Sequence, residues 1–260
     1  MKPTVSDALL AAATFVVVMS LWEFGVRFGD VSTLVLPPPS VIAVTLWDGL
    51  VHGTLMRHLG VTFYEILAGF FLGSAIGLVL GGVISQVRLL EKIFYPYIVA
   101  FQTVPKVAIA PIIIIWLGFG TFSKVVITAT IAFFPVLANT IVGLRAAPAD
   151  EVELLVSMTA RPIQVFWKVL VPQALPFIFV GLDVAIVLSV IGAIVGEFVG
   201  AQAGLGYMIL QRNLSMDLPG VFAILVILSL IGVGLHWVMR LIRRKVVFWI
   251  DDGPGSTTGA

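Results

Sequence analysis

The chain contains no cysteine, and only 11% of its 260 residues are charged. The lack of cysteine excludes disulfides, cysteine-ligated metal centres and thiol chemistry. Soluble domains carry about 25% charged residues, so this composition is not that of a domain surrounded by water. The formal net charge of +1 also gives no electrostatic basis for binding nucleic acid.

Motifs for nucleotide, metal and nucleophile chemistry are also absent. No phosphate-binding loop of the G-x-x-x-x-G-K-[ST] type occurs, so the sequence predicts no nucleotide site in this chain. The three histidines, His52, His58 and His236, are scattered and form no metal-binding spacing. We therefore expect a chain without catalytic residues, without a metal site and without a cofactor of its own.

Apolar sequence is what the chain has in abundance: 60% of its residues are hydrophobic and its mean hydropathy is +1.12. About 20 apolar residues cross one bilayer, so the runs predict an all-α integral membrane protein with six transmembrane helices. The predicted spans lie near residues 9–28, 60–84, 95–117, 123–145, 175–199 and 219–241. We assign residues 1–250 to one transmembrane domain and residues 251–260 to a flexible tail.

Lysine and arginine are distributed unevenly between the two sides of these spans. With both termini on one side, ten basic residues fall on that side: Lys2, Arg88, Lys92, Arg145, Arg161, Lys168, Arg240, Arg243, Arg244 and Lys245. Four fall on the other: Arg27, Arg57, Lys124 and Arg212. Lys106 lies within a span. Because basic residues are enriched in cytoplasmic loops, we expect both termini and the loop 147–173 in the cytoplasm.

Residues 150–176 lie between two spans and mix charges, prolines and helical periodicity. Asp150 followed three residues later by Glu153 is a capping-box spacing, which predicts a helix that begins at Asp150. Pro162 disfavours helical geometry in the residue before it, so this helix is expected to end near Arg161. Pro162 can then open a second short helix.

That second helix is expected to carry an apolar stripe and to stop at Pro172 and Pro176. The stripe consists of Ile163, Phe166, Trp167 and Leu170. Two helices of this length are too short to cross a bilayer. The stretch therefore predicts a two-helix module at the membrane surface that contacts a partner.

This stretch resembles the EAA loop of the inner-membrane permeases of binding-protein-dependent ABC importers. In that family the pattern runs E-A-A, three residues, G, and then an apolar helix that ends in L-P. The corresponding residues here are Glu153, Leu154, Leu155, Thr159 and the pair Val171-Pro172. Neither alanine is kept, and the glycine is Thr159. Since a β-branched residue disfavours positive φ, the turn either keeps ordinary backbone angles or is strained.

The third predicted span contains three prolines, which cannot all lie in an undistorted helix. They are Pro96, Pro105 and Pro111. Broken helices at membrane depth often line a substrate path. Three polar residues, Gln102, Thr103 and Lys106, cluster by the expected break, and a buried lysine is costly unless it is paired or faces water.

The same span closely resembles the Q-T-x-P-K-x-A-x-x-P…W-x-G-x-G signature of permeases for nitrate, sulfonate, taurine and related small solutes. The matching residues are Gln102, Thr103, Pro105, Lys106, Ala108, Pro111, Trp116, Gly118 and Gly120. The stretch GEFVGAQAGLGY, which contains Glu197, resembles another region of this subfamily. Asp183 departs from it, because these permeases usually have an arginine there.

The resemblance implies the type I ABC importer permease fold and a subunit that forms the pathway for a small solute delivered by an extracytoplasmic binding protein. It also implies two cytoplasmic ATPase subunits that hold ATP and Mg²⁺, a second permease copy in a homodimer, membrane lipid and a location in the inner membrane. The expected ATPase-coupling residues are Glu153, Ser157, Thr159, Ala160 and Arg161. The expected pathway residues are Gln102, Thr103, Lys106, Asn139 and Glu197.

Some alternatives stay open at this point. A secondary transporter or channel driven by an ion gradient would need ionisable residues arranged as a relay, for which Glu65, Lys106, Asp183 and Glu197 are the candidates. Asn139 either contacts solute or bonds to a neighbouring helix. Four glycines spaced four residues apart in the second span form one small face, which serves packing within the chain or a dimer interface. They are Gly69, Gly73, Gly77 and Gly81.

Overall fold

The computed structural model describes residues 5–249, which form helices joined by short connections and contain no β-strand. The predicted tail 251–260 lies outside the described residues. In chain order the helices are α1 (Val5–Phe28), α2 (Pro39–Val51), α3 (Thr54–Gln86), α4 (Arg88–Thr103), α5 (Ala110–Leu117), α6 (Thr121–Arg145), α7 (Ala149–Ser157), α8 (Pro162–Val165), α9 (Val171–Gly200), α10 (Leu205–Leu214) and α11 (Leu218–Val246).

Within residues 5–249, five helical segments are long and apolar enough to cross a membrane, and the pair α4 and α5 adds a sixth if its two halves count as one span. This agrees with the six predicted spans. The two halves of the third span meet at an angle of 87°. Pro105 causes the break, because it holds Val104 in an extended conformation (φ −66°, ψ 128°) and offers no N–H to continue the helix. A single 3₁₀ turn, Lys106–Ile109, leads into α5.

The glycine face of α3 packs against α6 of the same chain, which confirms packing within the chain as one use of this face. A Cβ atom added at Gly73 would overlap the carbonyl oxygen of Ala129, and one at Gly77 would lie 3.0 Å from the carbonyl oxygen of Phe133. Gly69 and Gly81 approach α6 in the same way. The two helices are therefore in close contact over about three turns.

The helix α6 lies at the centre, because α9 packs closely on it as well. A Cβ atom at Gly192 of α9 would lie 2.8 Å from the Cα atom of Thr128, and Gly181 meets the side chain of Asn139. The buried share of each span agrees with the central position of α6. Half of the most apolar stretch of α6 is buried inside the chain, whereas for α1 the buried share is 6%.

The prolines at the start of the fifth span do not stop the helix, so that prediction was wrong. Residues Pro162–Gly200 form one continuous helical run, and Phe166–Leu170 is a π-helical turn within it. In this wider turn the Val171 N–H donates to the carbonyl oxygen of Phe166. The turn lies just before Pro172, whose ring would crowd an ordinary helical turn, and π-bulges accommodate such interruptions without ending the helix.

We expect the Gly73→Ala substitution to destabilise the fold, because the added methyl group must push α3 away from the backbone of α6. The free energy of unfolding should fall by about 1–3 kcal/mol, the usual cost of overpacking. The matched control is Gly82→Ala on the same helix, where an added Cβ meets nothing within 4 Å. Thermal unfolding of the purified protein in detergent measures both, and equal stability of the two variants would contradict the packing described here.

Candidate functional site

The loop between α6 and α9 begins with α7, whose N-cap is Pro148 and not Asp150. The predicted capping box was therefore wrong: Asp150 lies in the first turn, where its charge still favours the helix dipole. Glu153 is exposed and has no hydrogen bond or ion pair to any described residue. Its carboxylate is thus available to groups outside this chain. Glu151 instead ties the module to α9, because the Gln173 amide donates to its carboxylate at 3.2 Å.

The turn after α7 ends the helix with a left-handed residue. Thr159 has φ +60°. The Ala160 N–H donates to the carbonyl oxygen of Leu155 at 3.0 Å, and the Thr159 N–H donates to that of Val156 at 2.9 Å. These two bonds define a Schellman motif, in which glycine is the preferred residue at the left-handed position. The sequence left open whether this turn has ordinary backbone angles or is strained. The positive φ of Thr159 shows that it is strained.

The second short helix starts where the sequence predicts. Arg161 is extended (φ −70°, ψ 151°), Pro162 takes the first helical position, and the Gln164 side chain accepts a hydrogen bond from the Arg161 N–H at 2.7 Å. The first helix ends at Ser157, four residues before Arg161, so the predicted end near Arg161 was too late. The Schellman turn occupies the residues between the two helices.

The predicted apolar stripe of the second helix is only partly correct. Phe166 and Leu170 pack on a cluster inside the chain, but Ile163 and Trp167 are exposed, and Val165 and Val169 are buried in their place. The widened turn at Phe166–Leu170 departs from the 3.6-residue period on which the stripe was predicted. Together with α7, the loop presents five large apolar side chains, each more than half exposed, which we call the loop apolar face. They are Leu154, Val156, Met158, Ile163 and Trp167.

The polar residues predicted at the break in the third span lie together. Gln102 and Thr103 are exposed at the end of α4, and Lys106 follows in the 3₁₀ turn. The Lys106 Nζ atom lies 3.5 Å from the carbonyl oxygen of Gln102 and 5.1 Å from the centre of the Phe134 ring on α6. A cation over an aromatic face is stabilised by the ring quadrupole. In the described part of the chain, Lys106 has no ion pair with a carboxylate.

Asn139 lies on α6, five residues beyond Phe134. Its amide donates to the carbonyl oxygen of Pro135 at 2.8 Å, one turn earlier in the same helix. Its side chain also packs against Gly181 of α9. The expected hydrogen bond to a neighbouring helix is therefore replaced by a bond within α6, and the contact with α9 is a packing contact.

Glu197 is 1% exposed and is bonded within the chain. Its carboxylate accepts hydrogen bonds from the Thr62 hydroxyl at 2.6 Å and from the Gly206 N–H at 2.5 Å. The Thr62 hydroxyl oxygen in turn accepts from the Leu205 N–H at 2.7 Å. These bonds fix the connection between α9 and α10 onto α3. No hydrogen bond or ion pair among residues 5–249 links this group to Gln102.

Two partners of Glu197 escaped prediction from the sequence. The Glu65 side chain contacts the Glu197 carboxyl. The buried Lys124 interacts electrostatically with Glu65 and Glu197, while its hydrogen bonds go to the carbonyl oxygens of Phe119 and Gly120. The available signal was the spacing of Thr62 and Glu65, which places two polar side chains on one face of an otherwise apolar helix. We refer to Thr62, Glu65, Lys124 and Glu197 as the buried polar cluster.

The residues offered as an ion relay are separated in the described structure. Glu65 and Glu197 belong to the buried polar cluster, and Lys106 lies at the break in the third span. Asp183 on α9 is bonded to His236 on α11, with 2.6 Å between Oδ1 and Nδ1. A relay needs ionisable groups within reach of one another, and these three places are not joined by hydrogen bonds among residues 5–249.

We expect Thr62→Val to destabilise the protein by about 2–4 kcal/mol. The substitution removes a hydroxyl that serves both Glu197 and the Leu205 N–H, so a buried carboxylate and a buried N–H each lose a partner. Thr140→Val is the matched control, because the buried Thr140 hydroxyl donates only to the carbonyl oxygen of Val136 in its own helix. The control should cost less than about 1 kcal/mol in thermal unfolding. A similar loss in both variants would show that Thr62 does not hold α3 to α10.

Comparison with known families gives a match over most of the chain. Residues 73–248 match the family model described as the binding-protein-dependent transport system inner membrane component. The formylaminopyrimidine transport permease ThiX of Halalkalibacterium halodurans is 37% identical over 227 residues, which cover 87% of this chain and 90% of that protein. The putative aliphatic sulfonates transport permease SsuC of Bacillus subtilis is 33% identical and covers 92% of this chain and 87% of its own length.

The fold has a counterpart among solved structures. An inward-facing structure of the MetNI methionine ABC transporter contains a chain that superposes with a TM-score of 0.59 at 21% identity. The match covers 81% of this chain and 98% of that one. At this identity the likeness supports the fold alone, and it agrees with the predicted type I importer permease architecture.

Proposed function

We propose, because the chain belongs to the family of binding-protein-dependent transport system inner membrane components, that its loop 147–173 is the surface on which cytoplasmic ATPase subunits act. The chain is the membrane-spanning permease subunit of an ABC importer and crosses the membrane several times. ATP and Mg²⁺ would be held by the ATPase subunits. Two such subunits and a second copy of this chain would complete the transporter.

The observation that carries this proposal is the loop apolar face. Its five side chains belong to the loop between spans, and the loop carries charged residues that keep it out of the lipid. Exposed apolar patches of this kind mark sites of protein–protein contact. Glu153 and Arg161 are exposed beside this face and provide charges that a partner can pair with.

The continuous run from Pro162 to Gly200 supports a mechanism of coupling. A force applied to the loop apolar face passes into α9 without an intervening flexible connection. Close packing of α9 on α6 would then move both helices together, since packed interfaces shift as units and do not deform continuously. Closure of the ATPase subunits would in this way switch the permease between inward-open and outward-open states.

The proposed solute route passes the break in the third span. Gln102 and Thr103 are exposed there, and Lys106 supplies a positive charge without a carboxylate partner in the described structure. Relatives named for formylaminopyrimidine and for aliphatic sulfonates share this architecture. The solute is accordingly proposed as a small polar molecule delivered by an extracytoplasmic binding protein.

Orientation and coupling are tested together by single cysteines, since the chain has none of its own. Met158→Cys should react with an impermeant thiol reagent only from the cytoplasmic side, because Met158 is 68% exposed on the loop apolar face. Co-expression of the ATPase subunit should slow this labelling at least about tenfold. Leu214→Cys is the matched control: Leu214 is 88% exposed on the opposite side and should react from outside at an unchanged rate. Labelling of Met158→Cys from outside would show that the topology is the reverse of the one proposed. Labelling from inside that the ATPase subunit does not slow would show that the loop apolar face does not contact that subunit.

The route is tested by Gln102→Ala, which should reduce uptake into proteoliposomes at least about tenfold by removing a polar contact that solute makes during passage. Assembly with the ATPase subunits should be unchanged, because Gln102 makes no side-chain hydrogen bond within the described structure. Gln86→Ala is the control: Gln86 is exposed at the C-terminal end of α3, and this variant should transport normally. Normal uptake by the Gln102 variant would place the route elsewhere.

A further inference from the structure

A groove of about 530 Å³ opens between the first turns of α3 and α6. It is lined by Arg57, Gly60, Val61 and Tyr64 of α3 and by Thr121, Phe122 and Val125 of α6. Both helices begin at the same side of the membrane, so the groove starts at the membrane boundary. We propose that it binds one anionic phospholipid, with the phosphate at Arg57 and the upper acyl region along the apolar wall.

The charge at the mouth of the groove is uncompensated. Arg57 is exposed and has no hydrogen bond or ion pair with any described residue. Three other arginines near the ends of spans are already paired with carboxylates, namely Arg27 with Glu23, Arg145 with Glu91 and Arg212 with Asp217. A free guanidinium at the membrane boundary matches the phosphate of a lipid headgroup, which it can hold with two parallel hydrogen bonds.

The wall of the groove favours a lipid over a small free anion. Tyr64 and Phe122 are 61% and 63% exposed, and together with the adjacent valines they present apolar surface next to the cation. Arg57 and Tyr64 are seven residues apart, so about 10 Å of helix separates the charge from the inner end of the groove. That distance leads from headgroup level into the hydrocarbon. Aromatic residues are common at this depth, because their amphipathic rings fit the interface.

Gly60 allows the groove to be filled without disturbing the fold. A Cβ atom added at Gly60 meets nothing within 4 Å, so a leucine there would extend into the space that the lipid is proposed to occupy. Gly82 on the same helix is equally unobstructed and does not line the groove. Gly60→Leu and Gly82→Leu therefore form a matched pair that differs in the groove alone.

The test is native mass spectrometry of the full-length permease in detergent with equal amounts of phosphatidylglycerol and phosphatidylethanolamine. The wild-type protein should retain one phosphatidylglycerol in preference to phosphatidylethanolamine. Arg57→Gln should weaken phosphatidylglycerol binding at least about tenfold, the loss expected for a charge-assisted hydrogen bond. Gly60→Leu should lose both lipids, whereas Gly82→Leu should bind like the wild type.

Three results would overturn the proposal. If Arg57→Gln kept an undiminished preference for phosphatidylglycerol, Arg57 would not be the group that binds the lipid phosphate. Equal lipid retention by the two leucine variants would show that the lipid does not bind in the groove. Displacement of the lipid by millimolar inorganic phosphate, or efficient crosslinking of two copies through Phe122→Cys, would assign the groove to a free anion or to a second copy of this chain.

Lipid retention is measured without transport, so this outcome does not depend on the proposed coupling or solute route. Only the choice of the leaflet from which the lipid enters rests on the proposed topology. The labelling of single cysteines tests that topology separately.

Discussion

The architecture depends on the close contact of α6 with α3 on one side and α9 on the other. In a bilayer, helices gain no hydrophobic free energy by associating, so van der Waals contact between closely approaching backbones must hold them together. Glycines of α3 and α9 permit this approach. The same closeness brings Thr62, Glu65, Lys124 and Glu197 from three helices into one buried group. Close packing places the Thr62 hydroxyl within hydrogen-bonding distance of both Glu197 and the Leu205 N–H.

The helical run 162–200 is continuous, and this continuity connects the surface loop mechanically to the bundle. A helix that passes from a surface loop into the centre of the bundle transmits a displacement at one end to the other. The π-helical turn at Phe166–Leu170 preserves this continuity next to Pro172. At the far end, Glu197 binds the backbone N–H of Gly206 and the hydroxyl of Thr62. Movement of α9 is thereby linked to α3 and α10 as well as to α6.

Features set by composition and by single residues could be predicted from the sequence. The number of spans follows from apolar length, the break follows from Pro105, and the close approach of α3 follows from its glycine spacing. The predictions that failed depended on surroundings. Pro172 was expected to stop the helix, but the π-helical turn before it keeps the run 162–200 continuous. Asp150 is a favourable N-cap by type, yet Pro148 already starts the helix. The Thr62 hydroxyl that binds Glu197 is 135 residues away in the chain, so the sequence around Glu197 gives no sign of this contact.

The contrast between Glu197 and Lys106 shows what an intramembrane charge means for function. Both were candidates for the solute route because charges in spans are costly and are usually retained for a purpose. The carboxyl group of Glu197 accepts two hydrogen bonds and is sealed from solvent, so it serves to hold helices together. Lys106 has a weak backbone contact and an aromatic ring beside it, which leaves hydrogen-bonding capacity for another molecule. The number of bonds already made within the chain therefore separates a structural charge from one that can meet a solute.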